Sequence, residues 1–177
     1  MTDKYRGVWL EATTFKLNGK THTETVKWLT EFCAEAFPDA QERLTESYLA
    51  FSPTGFYAKD AEILQSVLGE KLKSLAFVYE LQPVHTEAYA IVLPGKNAED
   101  RAILGALLDE LRTVHRIGHT YHNVSTPNLT LALYEEDEEA ETALNNASRF
   151  TMPCGTLEIS DFHLLGHTVD GEVVVIV

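Results

Sequence analysis

The chain opens on a run of branched and aromatic residues, Val8-Trp9-Leu10-Glu11-Ala12-Thr13-Thr14-Phe15, which predicts a strand ended by the turn residues Asn18-Gly19-Lys20. Val26, Leu29, Phe32, Cys33 and Ala36 then recur at helical spacing, with Thr23 or Thr25 as the cap and Pro38 as the stop. Tyr48-Leu49-Ala50-Phe51 reads as a short strand closed by Ser52-Pro53-Thr54-Gly55, and residues 60–73 as a helix with Ile63, Leu64, Val67, Leu68 and Leu72 on one face. A strand over 76–81, a turn at Gln82-Pro83 and a strand over 85–93 ending at Pro94-Gly95 come next. The spacing of Ile103, Leu104, Leu107, Leu108, Leu111 and Val114 predicts a helix over 98–115, with Gly118 just past its end. Residues 128–133 form a strand and 135–147 a helix whose first turns hold carboxylates where the dipole favours them. Strands over 157–165 and 172–177 close the chain around Asp170-Gly171.

These elements repeat. Strand, helix, strand, helix recurs after about 80 residues, which sets Tyr48-Leu49-Ala50-Phe51 against Asn128-Leu129-Thr130-Leu131. The plain alternative is that any α/β chain divides into loosely matching halves. A true repeat makes residues 1–177 one domain of two lobes, about 1–75 and about 76–177, with the matched strands side by side across a cleft.

Composition narrows the functional classes. Fourteen Lys and Arg against 27 Asp and Glu leave a formal charge of −13, a field that opposes non-specific nucleic-acid binding and anionic lipid. No apolar run is long enough to cross a bilayer, and residues 1–6 lack the apolar core of a secretory signal, so the expected setting is soluble and cytoplasmic. Cys33 and Cys154 lie far apart and read as two buried small hydrophobes rather than a disulfide. His115, His119 and His122 are close in sequence, but Gly118 interrupts any shared helical face, so neither a metal nor a cofactor is expected. His85, Thr86, His163 and His167 read as surface or satisfied core groups. The acidic run Glu135-Glu136-Asp137-Glu138-Glu139 reads first as a solvated helix start and second as a surface for a basic protein partner.

Thr126-Pro127-Asn128-Leu129-Thr130-Leu131-Ala132 resembles the second active-site strand of the two-histidine (2H) phosphoesterases, with Asn in the place of His. Residues 90–95, the helix after them and the final strands resemble the same family's second lobe. The resemblance implies an α+β fold of two pseudo-symmetric βαβα lobes whose antiparallel sheets meet around a central cleft. In such proteins one His acts as base and the other as acid, while two Thr or Ser hydroxyls hold the phosphate. Here Tyr48 and Asn128 take the two histidine positions, and Ala50 and Thr130 the two hydroxyl positions. An amide transfers no proton and a phenol with a reference pKa of about 10 is a poor base at neutral pH.

The expectation is therefore a degenerate protein that binds a nucleotide, a cyclic nucleotide or an RNA-end phosphate through Tyr48, Ala50, Asn128 and Thr130 without the usual hydrolysis. Two alternatives stay open: a cyclic phosphodiesterase that uses His119 or His122 as a relocated histidine, and an acidic interaction or inhibitor module.

Overall fold

A computed structural model describes residues 4–49, 51–96, 100–122 and 128–177. The first strand, β1 (Tyr5–Leu17), ends at the expected Asn18-Gly19 turn, where both residues have positive φ. Helix α1 (His22–Ala36) is capped by Thr21, not by Thr23 or Thr25. The Thr21 hydroxyl accepts from the Glu24 amide at 3.2 Å, and the Glu24 carboxylate accepts from the Thr21 amide at 3.1 Å. Thr25 is instead buried and accepts from the Leu17 amide at 2.8 Å, which ties the helix to the end of β1.

The expected strand at 48–51 is not formed. Residues Glu46–Tyr48 make a single 3-10 turn, Phe51 forms one bridge to Ala12, and the strand lies later, at β3 (Thr54–Phe56). A two-residue strand, β2 (Glu42–Arg43), precedes it. Helix α2 (Ala61–Lys73) and β4 (Phe77–Leu81) follow the expected pattern. What reads as one strand over 85–93 is a hairpin of β5 (His85–Glu87) and β6 (Ala90–Lys96), turned at Ala88-Tyr89 with Ala88 at φ 51°. Helix α3 (Asp100–Val114), an unforeseen β7 (His119–His122), β8 (Asn128–Leu133), α4 (Asp137–Asn146), β9 (Thr156–Thr168) and β10 (Val173–Val175) complete the chain.

The strands join in the order β2-β8-β6-β4-β9-β1-β3-β7, all neighbours antiparallel, with β5 on β6 and β10 on β9. That order reads the same from either end as two four-stranded halves meeting at β4–β9. Each half is built partly from the other repeat's chain: β2 from the first repeat pairs with β8, and β7 from the second pairs with β3. Strand pairing therefore crosses the 75/76 line in both directions. The connections to and from these exchanged strands are ten residues from Leu44 to Pro53 and five at 123–127.

The core lies between the sheet and its helices, with α1 on β1, α2 on β9 and α4 across β5 and β6. Phe51, Phe77, Tyr79 and Phe162 meet edge to face at its centre, the Phe77 and Phe162 rings 5.4 Å apart. Alternation along β9 breaks at Asp161 (φ 54°): Leu157 and Ile159 are buried before it, Phe162 and Leu164 after it. Pairing with β1 keeps its register across the kink, Ser160 opposite Thr14 and Phe162 opposite Ala12, and β1 changes its buried positions at the same level, from Leu10 and Ala12 to Phe15 and Leu17. The Asp161 carboxylate accepts from the Thr14 hydroxyl and its carbonyl from the Thr13 hydroxyl, which hold the kink. Cys33 is fully buried as expected, but Cys154 is exposed, in the turn where the Asn18 amide donates to its carbonyl. Among the described residues no helix is long and apolar enough to cross a membrane.

Candidate functional site

Strand β8 pairs along its length with β6, and its last two residues, Ala132 and Leu133, pair also with β2. Leu129 and Leu131 point into the core while Asn128 and Thr130 are exposed on the opposite face. The register places Thr130 across from Val92 and Val92 across from His85, which makes one row over three strands. His85 and Thr130 are thus about 10 Å apart across the sheet by ordinary strand spacing.

A polar chain runs over this face. The Asn128 side-chain amide donates to Glu87 Oε2 at 3.1 Å, and Glu87 Oε1 lies 3.2 Å from His85 Nε2. The other ring nitrogen, Nδ1, sits 3.4 Å from the Pro83 carbonyl. One carboxylate therefore uses both oxygens, one on the amide at the expected site and one on an imidazole. His85 and Glu87 are about half exposed, so their attraction is screened by water.

A cavity of about 320 Å³ opens beside Asn128 and Thr130, bounded by Glu42, Arg43 and Leu133. Arg43 faces the end of α1, where its guanidinium donates to the Pro38 carbonyl at 2.9 Å and to the Phe37 carbonyl at 3.4 Å. Cations near helix C-termini satisfy carbonyls there. A larger cavity of about 580 Å³ lies between the end of α1 and α4, lined by Asp39, Glu136, Glu138 and Glu139 around Tyr134 and Arg149. Burial and then the Asp39 carboxylate push the Tyr134 hydroxyl above its ordinary value. Among the described residues no group of three or more metal-ligating side chains converges.

Asn128 and Thr130 thus share one exposed face. Tyr48 ends the 3-10 turn and Ala50 lies outside the described residues. His119 and His122 belong to β7, paired with Phe56 and Thr54 of β3, at the opposite end of the path from β8. The contact that the sequence did not disclose is Glu87. Its signal was the i, i+2 spacing to His85 on a strand, but its bond to Asn128 spans 41 positions.

Helices packed on an antiparallel sheet are the α+β fold class expected above. No family model matches the chain, and no curated protein matches it. A search of solved structures finds E. coli LigT complexed with 3′-AMP, with a TM-score of 0.50 and 16% identity over 97% of this chain and 94% of that one. The fold is the 2H phosphoesterase-like one. E. coli LigT complexed with phosphate matches at a TM-score of 0.47 and 16% identity, over 97% of this chain and 93% of that one.

Proposed function

We propose that this protein binds a phosphoester, carried by a nucleotide, a cyclic nucleotide or an RNA end, against Asn128 and Thr130 of β8, and does not perform the two-histidine hydrolysis. The observation that carries this reading is the exposed pair on one face of β8, beside a cavity of about 320 Å³. A hydroxyl and a primary amide offer hydrogen-bond donors to phosphate oxygens, and neither exchanges protons at neutral pH. The fold shared with LigT, which has been crystallised with 3′-AMP, supports the choice of ligand class. The repeat in the sequence alone extends the proposal to Tyr48 and Ala50 as the first repeat's contributions to the same ligand.

A second reading keeps the ligand class and adds turnover through His119 or His122. It is favoured by one connection: only residues 123–127 separate His122 from Asn128, so at most about 20 Å of chain separates them. The test is a thermal-shift panel of 3′-AMP, 2′,3′-cyclic AMP and a cyclic dinucleotide, followed by chromatography of each nucleotide. At a hundredfold excess over Kd a ligand adds about 2.7 kcal/mol, a rise of roughly 5–10 °C for a chain of this size. A rise with intact nucleotide is the expected outcome. Cleavage that His119→Ala or His122→Ala abolishes establishes the second reading. No shift with any of them refutes both and leaves the acidic cavity beside α4, and a basic protein partner, as the remaining account.

A further inference from the structure

Glu87 occupies the place that an anionic ligand of this face would take. Its two carboxylate oxygens bridge the Asn128 amide and the His85 ring at 3.1 and 3.2 Å, as two oxygens of a phosphate would. It stands on β5, a three-residue strand joined to β6 by a two-residue turn, and Asn128 stands at the first position of β8, opposite Pro94 of β6. The charged side chains nearest on the same face of β4 and β6 are Glu80 and Lys96, opposite one another in register. Arg43 donates to carbonyls at the end of α1. The fixed charge closest to Asn128 is therefore negative.

We propose that Glu87 is the specificity-determining residue of this site and makes it select singly charged phosphodiesters over doubly charged phosphomonoesters. The proposal rests on the functional reading above. Any phosphate bonded to the Asn128 amide lies about 5 Å from the Glu87 carboxylate. At that distance in a water-like dielectric, each unit of ligand charge costs about fourfold in affinity. A phosphomonoester carries close to two charges at neutral pH and a diester carries one. Glu87 thus penalises the monoester by about fourfold more than the diester.

The experiment is calorimetric titration of 3′-AMP and 2′,3′-cyclic AMP into the wild-type protein and Glu87→Gln, at low ionic strength and again in about 0.5 M salt. Glu87 is half exposed, so the variant retains the fold, which its melting temperature checks. The expected result is a gain for both nucleotides in Glu87→Gln, about fourfold larger for the monoester, and largely lost in high salt. Equal changes for the two nucleotides overturn the assignment while leaving phosphoester binding intact. A loss for both overturns it as well, by making Glu87 a group that positions Asn128 for the ligand. If neither nucleotide binds either protein, the underlying reading falls and the assignment with it.

Discussion

Replacing Gly155 by alanine tests the joint between the first and last long strands. Gly155 has φ 99°, and a Cβ built on it would collide with the Asn18 amide, 2.8 Å from Cγ and 2.9 Å from Nδ2. That amide holds the joint, donating to the Cys154 carbonyl at 2.8 Å and accepting from the Thr156 amide at 2.9 Å. The Gly155 carbonyl also accepts from Leu81 at 2.8 Å, so the same turn anchors β4. The left-handed conformation costs an alanine about 1–2 kcal/mol. Displacing Asn18 forfeits two exposed hydrogen bonds worth about 0.5–1 kcal/mol each. The sum is about 2–4 kcal/mol, or a fall in Tm of roughly 5–15 °C for a domain of this length. Urea titrations of Gly155→Ala, Asn18→Gly and the double variant measure it, with an unchanged m-value showing that the native state stays compact. Glycine at position 18 keeps the turn and removes the collision, so the second substitution costs only the left-handed strain in that background. The two effects then fall short of additivity by about 1–2 kcal/mol. Strict additivity, or a single variant within 2 °C of the wild type, refutes the reasoning.

Further substitutions check other joints. Ala88→Gly relieves a left-handed alanine in the β5–β6 turn and is expected to raise stability by up to about 1 kcal/mol, read from urea midpoints. Thr21→Ala removes the capping box of α1 and is expected to cost about 1 kcal/mol, a fall in Tm of about 2–4 °C by calorimetry. Burial pushes the Cys33 thiol up to about 12, so alkylation of the native protein at pH 8 should modify Cys154 alone, and unfolding should expose the second thiol. The same thiol is ionised more readily when unfolded. Its contribution to stability is complete below about pH 9 and is lost as pH rises from there towards 12, at up to about 1.4 kcal/mol per unit, a slope that Cys33→Ala should remove.

The elements that the sequence disclosed are those whose pattern is local. Helices α1 to α4 and strands β4 and β8 follow from periodicity, because each buries a face that its own residues define. Strands β2 and β7 have two and four residues and exist only through partners drawn from the other repeat, so nothing in their own sequence marks them. The β5–β6 turn went unread because Ala88-Tyr89 lacks the Gly or Asn that normally signals it. Aromatic content predicted a strand at Tyr48, but Phe51 is drawn into the ring cluster and the pairing moves to Thr54, where a proline just before had suggested a stop. At the site, Asn128 and Thr130 were readable from alternation and motif. Glu87 was not, since its role arises from a hydrogen bond between two strands that are not even neighbours.

The register of β8 bears on how the proposed site would work. Asn128 is held at one edge, opposite Pro94 of β6, because β2 reaches only Ala132 and Leu133 at the far end of β8. Glu87 is held by three residues of edge strand and a turn with a strained alanine. The half-exposed Glu87 side chain is the internal acceptor that a ligand would displace. In the proposed site a ligand that reaches Asn128 takes over the amide that Glu87 now holds, and the proposal makes its affinity depend on how much negative charge it brings towards Glu87. Ala88→Gly relaxes the turn that carries Glu87 but keeps the carboxylate, so it should leave charge selectivity in place, whereas Glu87→Gln removes it.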